Sequence, residues 1–160
     1  MKSLNITTTY TIFNHLDELP ETIQKLMKQA VNARNQAYAP YSKFLVGAAI
    51  LLDDDSIILG NNQENAAYPS GLCAERVAIF SAAANFPKAH FKALAISATA
   101  LDKDLSEPVA PCGACRQAIA EYEFKQETPI AIYFMGKTGK IIKANSIKDL
   151  LPLAFDKSFL

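Results

Sequence analysis

A chain of 160 residues, half of them apolar, one fifth charged and with a formal net charge of zero, is long enough to build one domain around a substantial core. The neutral balance and the absence of any Lys/Arg run exclude a surface dedicated to a phosphate backbone, so nucleic acid is not an expected partner. No apolar run reaches membrane-spanning length, and Met1 to Phe13 lacks the features of a signal peptide, which makes the cytoplasm the expected location.

In chain order, Asn5 to Phe13 is rich in β-branched and aromatic residues and predicts an edge strand within an N-terminal extension over residues 1–19. Pro20 suits the first turn of a helix. Ile23, Leu26, Met27, Ala30 and Val31 then recur at helical spacing, predicting an amphipathic helix to about Ala37. Val46 to Leu52 and Ile57 to Leu59 read as a hairpin around the solvated acidic turn Asp53-Asp54-Asp55. Asn61 to Leu72 is a polar loop broken by Pro69 and Gly71, and a helix is expected from about Cys73 to Asn85.

Ala93 to Ala100 predicts a buried strand of small residues. After the loop Asp102 to Pro111, a helix should run from Cys112 to about Tyr122. Pro129 to Met135 is another buried strand, Gly136 to Gly139 a turn, and Ile141-Ile142 a short strand. Ser146-x-x-Asp149 has the spacing of a capping box for a short terminal helix. This order points to an α/β fold, a three-layer α/β/α domain with a mixed central sheet over residues 20–160.

All three cysteines lie in two short segments, Cys73-Ala74-Glu75-Arg76 and Pro111-Cys112-Gly113-Ala114-Cys115-Arg116-Gln117. An odd number of thiols with a Cys-x-x-Cys spacing reads as metal or redox chemistry in a reducing compartment rather than as a disulfide framework. Three thiols satisfy three positions of a tetrahedral zinc ion and leave the fourth for water, the arrangement of a catalytic site. A closed structural site would need a fourth ligand, and His15 and His90, the only histidines, stand in no ligand-like company. Both segments fall at expected helix N-termini, where about half a positive charge favours thiolate. Three thiolates and one Zn2+ sum to −1, so two helix ends offset the charge that would otherwise blunt the metal's acidity. Arg76 could donate to the sulfurs and support them further. Glu75, two residues after Cys73, is placed to carry a proton to and from water on the metal.

These two segments, together with Ala37-Tyr38-Ala39-Pro40-Tyr41-Ser42-Lys43-Phe44, Val46-Gly47-Ala48-Ala49, Glu64-Asn65-Ala66-Ala67-Tyr68 and Leu150-Leu151-Pro152, closely resemble the cytidine deaminase family over roughly Ile23 to Phe155. A cysteine rather than histidine as the first ligand favours the branch that acts on free nucleosides. The resemblance implies that Cys73, Cys112 and Cys115 hold zinc and that Glu75 is the proton shuttle. It implies hydrolytic deamination of cytidine and deoxycytidine by a zinc-bound hydroxide, in pyrimidine salvage. Asn62 and Glu64 match positions that bind the ribose hydroxyls, Phe44 packs near sugar and base, and the Ala74 backbone meets the pyrimidine. Phe155 matches an aromatic that reaches a neighbouring subunit's site, in a homotetramer with composite active sites. A related enzyme acting on another aminated nucleoside, of the antibiotic-nucleoside type, is the alternative. The chain departs from the pattern at Pro69-Ser70-Gly71-Leu72, at Leu153 and in the stretch before Pro20, which bears on the substrate rim and not on the metal chemistry.

Overall fold

The computed structural model describes residues 1–160. Its centre is a six-stranded mixed sheet in the order β1-β6-β5-β4-β2-β3, formed by β1 (Thr11–Phe13), β2 (Phe44–Leu52), β3 (Ile57–Asn61), β4 (Phe91–Ala100), β5 (Ala131–Met135) and β6 (Ile141–Ala144). Only β4 and β5 are parallel neighbours; the other pairs are antiparallel. Three α-helices cover the faces: α1 (Glu21–Arg34), α2 (Ala74–Asn85) and α3 (Gly113–Gln126).

The three layers follow from the alternation of side chains along each strand. In β2, Ala49 and Leu51 face one side and join Ile23, Leu26, Met27 and Ala30 of α1. Ala48, Ile50 and Leu52 face the other and join Ala74, Ala78, Ile79 and Ala82 of α2 with Ile119 and Ala120 of α3. Small residues on both faces bring the helices close. At Gly47 an added Cβ would lie 2.0 Å from the Ala30 carbonyl oxygen, and at Gly60 it would lie 2.4 Å from the Ala78 nitrogen. Only glycine permits these approaches.

The connections decide where chemistry can occur. β3 and β4 both run antiparallel to β2, so α2 links two strands of the same direction across β2. α3 in turn links β4 to its parallel neighbour β5. Both helices therefore start beyond the C-terminal ends of like-directed strands, at one end of the sheet, where open α/β sheets place their ligands.

Several boundaries differ from the sequence expectation. α1 stops at Arg34, short of Ala37, because the Tyr38 amide donates to the Asn62 carbonyl at 3.0 Å and draws the chain out of the helix; Pro40 further disfavours helical backbone at Ala39. α3 runs past Tyr122 to Gln126 and ends at Glu127 in a left-handed conformation (φ 57°). The terminal helix expected from the capping box is a single 3-10 turn, Ile147–Asp149, and the box itself is formed. Of Asn5 to Phe13 only Thr11–Phe13 pairs, with β6 at the sheet edge. Phe13 and Leu16 pack on the α1-side cluster, Leu19 is buried in it, and the Tyr10 hydroxyl donates to the Asp149 carbonyl at 2.6 Å. The acidic hairpin turn is solvated, with Asp55 (φ 67°) paired to Lys92 at 3.0 Å. No helix is long and apolar enough to cross a membrane.

Candidate metal centre

Cys73 is the residue before the first turn of α2 and Cys112 the residue before the first turn of α3; both have extended backbone, and neither side chain caps its helix. Their sulfurs are thus free to point away from the helices at the same end of the sheet. Cys115 follows in the first turn of α3 and is fully buried. The Sγ atoms of Cys73 and Cys112 stand 4.0 Å apart, and all three sulfurs lie within 4.8 Å of one another. No disulfide joins them. Such a cluster has the donor number and compactness for one zinc ion with a position left over. Neither His15 nor His90 joins the cluster; both are exposed.

The protonation of the free thiols shows how strongly the cluster draws charge. The hydrogen bond from Cys115, more than that from Arg76, pulls the Cys73 thiol down to about 5, while Cys115 itself is pushed up. Zinc takes cysteine as thiolate, so binding of a cation here would release protons. Arg76 Nη2 is 4.0 Å from Cys73 Sγ, as expected for a donor to the sulfur, and its Nε is buried without a partner. Glu75 is 5% exposed and lies in the first turn of α2 beside Cys73. Burial, reinforced by the charge on Cys73, raises its carboxyl above the ordinary range.

A cavity of about 460 Å3 opens beside the cluster, lined by Ser42, Asn62, Glu64, Tyr68, Cys73 and Arg76 among others. Gly71 and Leu72, from the unusual stretch before the first sulfur, also form its wall. The volume suits a nucleoside-sized ligand. Asn62 and Glu64 are both at the cavity, yet each is also tied to the scaffold. Asn62 accepts from the Val46 amide at 2.8 Å and donates to the Phe44 carbonyl at 2.9 Å. Glu64 accepts from the Tyr41 and Ser42 amides at 2.9 and 3.2 Å and from the Ser42 hydroxyl. The Ser42 contact holds its carboxyl below the usual carboxylate range.

The remaining expected site residues stand apart from this wall. Phe44 is half-buried at the start of β2, opposite Ala100. Ala74 is fully buried, so only its backbone could meet a ligand. Phe155 is 58% exposed and stacks on Phe159 with centroids 5.6 Å apart; Leu153 is 78% exposed. Sequence reasoning missed Glu123, which is 4% exposed and accepts from the Ile130 and Ile147 amides at 2.8 and 3.0 Å and from the Ser146 hydroxyl at 2.5 Å. Its position four residues after Ile119 on the buried stripe of α3 was the available signal.

Comparison with known proteins agrees with this geometry. A family model described as the cytidine and deoxycytidylate deaminase zinc-binding region matches residues 20–130. A cytidine deaminase of Sporosarcina psychrophila is 44% identical over 138 residues, 86% of this chain and 94% of the relative. One of Halalkalibacterium halodurans is 42% identical over 132 residues, 82% of this chain and 92% of the relative. The crystal structure of cytidine deaminase from Burkholderia pseudomallei superposes with a TM-score of 0.70 at 38% identity, covering 82% of this chain and 97% of that one. A blasticidin-S deaminase of Bacillus cereus is more distant, at 30% identity over 120 residues, 73% of this chain and 81% of the relative. With the matched region spanning both sulfur-bearing helix starts and the relatives covered almost end to end, the chain belongs to the cytidine deaminase family of zinc-dependent enzymes.

Proposed function

We propose that this enzyme hydrolyses cytidine and deoxycytidine to uridine and deoxyuridine, releasing ammonia, in the cytoplasmic salvage of pyrimidine nucleosides. The observation that carries the reading is the union, at one end of the sheet, of three sulfurs within 4.8 Å of one another, a buried carboxyl two residues after Cys73 in the first turn of α2 and a nucleoside-sized cavity.

Cys73, Cys112 and Cys115 would hold the zinc. When bound, the ion acts as a Lewis acid that lowers the pKa of water in the open position from 15.7 towards roughly 7. Glu75 would accept the two protons of the attacking water in turn, returning one to ring N3 and the other to the exocyclic amine at C4, so that ammonia leaves and C4 becomes a carbonyl. A buried carboxyl whose affinity for protons is raised is suited to take up a proton and return it. Arg76 donates to Cys73 Sγ and tempers the charge of the thiolates. The Ala74 amide, at a helix N-terminus, is a donor for the pyrimidine.

Asn62 and Glu64 hold the ribose from the cavity wall. Their bonds to the β2 backbone and to the 41–42 loop fix both side chains before substrate arrives, so little ordering remains to be done on binding. Phe44 packs near the sugar from the start of β2. The exposed aromatics Phe80, Phe155 and Phe159 support association of the chain into a homotetramer, with Phe155 of one subunit completing a site in its neighbour.

The test is a substrate panel on purified protein whose metal content has been measured. Cytidine and deoxycytidine should lose their ultraviolet absorbance with stoichiometric ammonia, the free base should react poorly, and blasticidin S should be turned over far more slowly. A zinc-loaded protein that deaminates only the antibiotic, or none of these, would refute the assignment. Full ammonia release by Glu75→Ala would refute the shuttle.

A further inference from the structure

Arg116 and Gln117, which follow Cys115 in the first turn of α3, both turn their side chains towards the C-terminal segment. Arg116 Nε donates to the carbonyl of Pro111, the residue before Cys112, at 2.8 Å, and its Nη1 donates to the Leu150 carbonyl at 3.0 Å. One guanidinium therefore joins the entry to a sulfur-bearing position with the turn from which the C-terminal segment departs. Gln117 Nε2 donates to the Phe155 carbonyl at 2.8 Å. Between Pro152 and Phe155 the backbone makes no other hydrogen bond, and Leu153 is 78% exposed. Leu151 and Ala154 pack against the core cluster under α2 and α3, and the two side chains of α3 add fixed points at the carbonyls of Leu150 and Phe155.

We infer that Arg116 and Gln117 are positioning residues, a two-point clasp that holds the segment carrying Phe155 in register with the helix start that carries Cys112 and Cys115. The functional consequence rests on the reading of Phe155 as a substrate contact. Arg suits the first point because its planar fork can donate to two carbonyls in different directions without rearranging; a lysine ammonium offers a single centre on a flexible stem. Gln suits the second because one neutral donor to an exposed carbonyl fixes position without adding charge at the rim. The two anchors divide the work. Arg116 acts on the metal side as well as the tail, whereas Gln117 acts on the tail alone.

The experiment compares zinc-loaded wild type, Arg116→Gln, Arg116→Lys, Gln117→Ala, Phe155→Ala and the Gln117→Ala/Phe155→Ala double variant. Each is assayed for zinc release to a colorimetric chelator, trimming of the C-terminus by a carboxypeptidase, and steady-state kinetics on cytidine. Arg116→Gln should release zinc on the order of 10-fold faster, the lower end of what supporting contacts around metal ligands contribute. Arg116→Lys, which keeps the charge and the fold, should fall between it and wild type. Gln117→Ala should release zinc as wild type does, be trimmed faster, and raise KM about 2- to 12-fold, the range for one net hydrogen bond, with kcat within about twofold. On the Phe155→Ala background that KM penalty should vanish.

Wild-type zinc release and trimming in folded Arg116→Gln and Arg116→Lys would overturn the Arg116 anchor. A KM penalty of Gln117→Ala that persists in full without Phe155 would overturn its action through that ring. Should Phe155→Ala alone leave KM at the wild-type value, the substrate role of Phe155 fails. The clasp then stands or falls on zinc release and trimming.

Discussion

Replacing Gly60 by alanine probes what sets the spacing of the metal centre. Gly60 lies on β3 directly beneath the first two turns of α2. A Cβ there would sit 2.4 Å from the Ala78 nitrogen and 2.5 Å from the Ala74 carbonyl oxygen, whereas ordinary contact begins at 3.4 Å. The obstructing atoms are helix backbone, which cannot swing aside as a side chain would, so α2 must withdraw by about 3.4 − 2.4 = 1.0 Å. Gly60 has no positive φ, and the backbone itself accepts alanine. The gain of about 0.4–1 kcal/mol from a stiffer unfolded chain is outweighed by overpacking of about 1–3 kcal/mol. At roughly 2–4 °C per kcal/mol for a chain of this size, the Tm should fall by several degrees.

The larger effect is on chemistry. Cys73 and Glu75 travel with α2 while Cys112 and Cys115 remain on α3, so the displacement falls between the ligands themselves. A misplacement of about 1 Å can cost on the order of 100-fold in rate. The assay is kcat on cytidine at a temperature well below the melting transition, with zinc per chain measured on the same sample. A folded Gly60→Ala protein with wild-type kcat and a full complement of zinc would refute the argument that this close approach positions the site.

Arg76→Gln should lower kcat by about 10- to 100-fold while zinc stays bound, since it removes a positive donor from the sulfurs without touching a ligand; unchanged kinetics at full metal would count against the role. Glu123→Ala strands two buried amides and a hydroxyl and should destabilise the fold by about 3 kcal/mol or more, read as a lower urea midpoint at constant m. Ser42→Ala should shift the acid limb of kcat/KM to higher pH. The Ser42 hydroxyl keeps the Glu64 carboxyl depressed, and a group of lowered pKa keeps its charge-dependent contribution until pH falls through that lowered value. Without the hydroxyl, protonation and loss of binding set in earlier on acidification; an unmoved limb would show that Glu64 does not govern it.

The parts of this molecule that could be read in advance are those whose cause is local. A Cys-x-x-Cys after Pro111 and a Cys-x-Glu after Leu72 announce sulfur donors and a carboxylate wherever the chain goes, and the structure brings the sulfurs to one place. The period of α1 and the apolar runs of β4 and β5 were legible because each element buries a continuous face. What was hidden depends on partners distant in sequence. The stop of α1 at Arg34 is set by a hydrogen bond to Asn62, and the continuation of α3 past Tyr122 is secured by Gln126, whose amide pairs with both backbone groups of Phe91 at 2.9 Å. The buried role of Glu123 and the close approach at Gly60 likewise exist only after the sheet and helices have met. Asn62 shows a middle case: its place at the cavity was anticipated from the resemblance, but its simultaneous hold on β2 was not.

The claim on which the mechanism stands is that three sulfurs and one exchangeable light atom surround a single zinc. X-ray absorption at the zinc edge on the purified enzyme measures this directly. Three sulfur scatterers at about 2.3 Å and one oxygen at about 2.0 Å are predicted, with the oxygen contribution altered when a cytidine analogue binds. A shell of four sulfurs, as from metal bridging two chains, or a shell with fewer than three would contradict it.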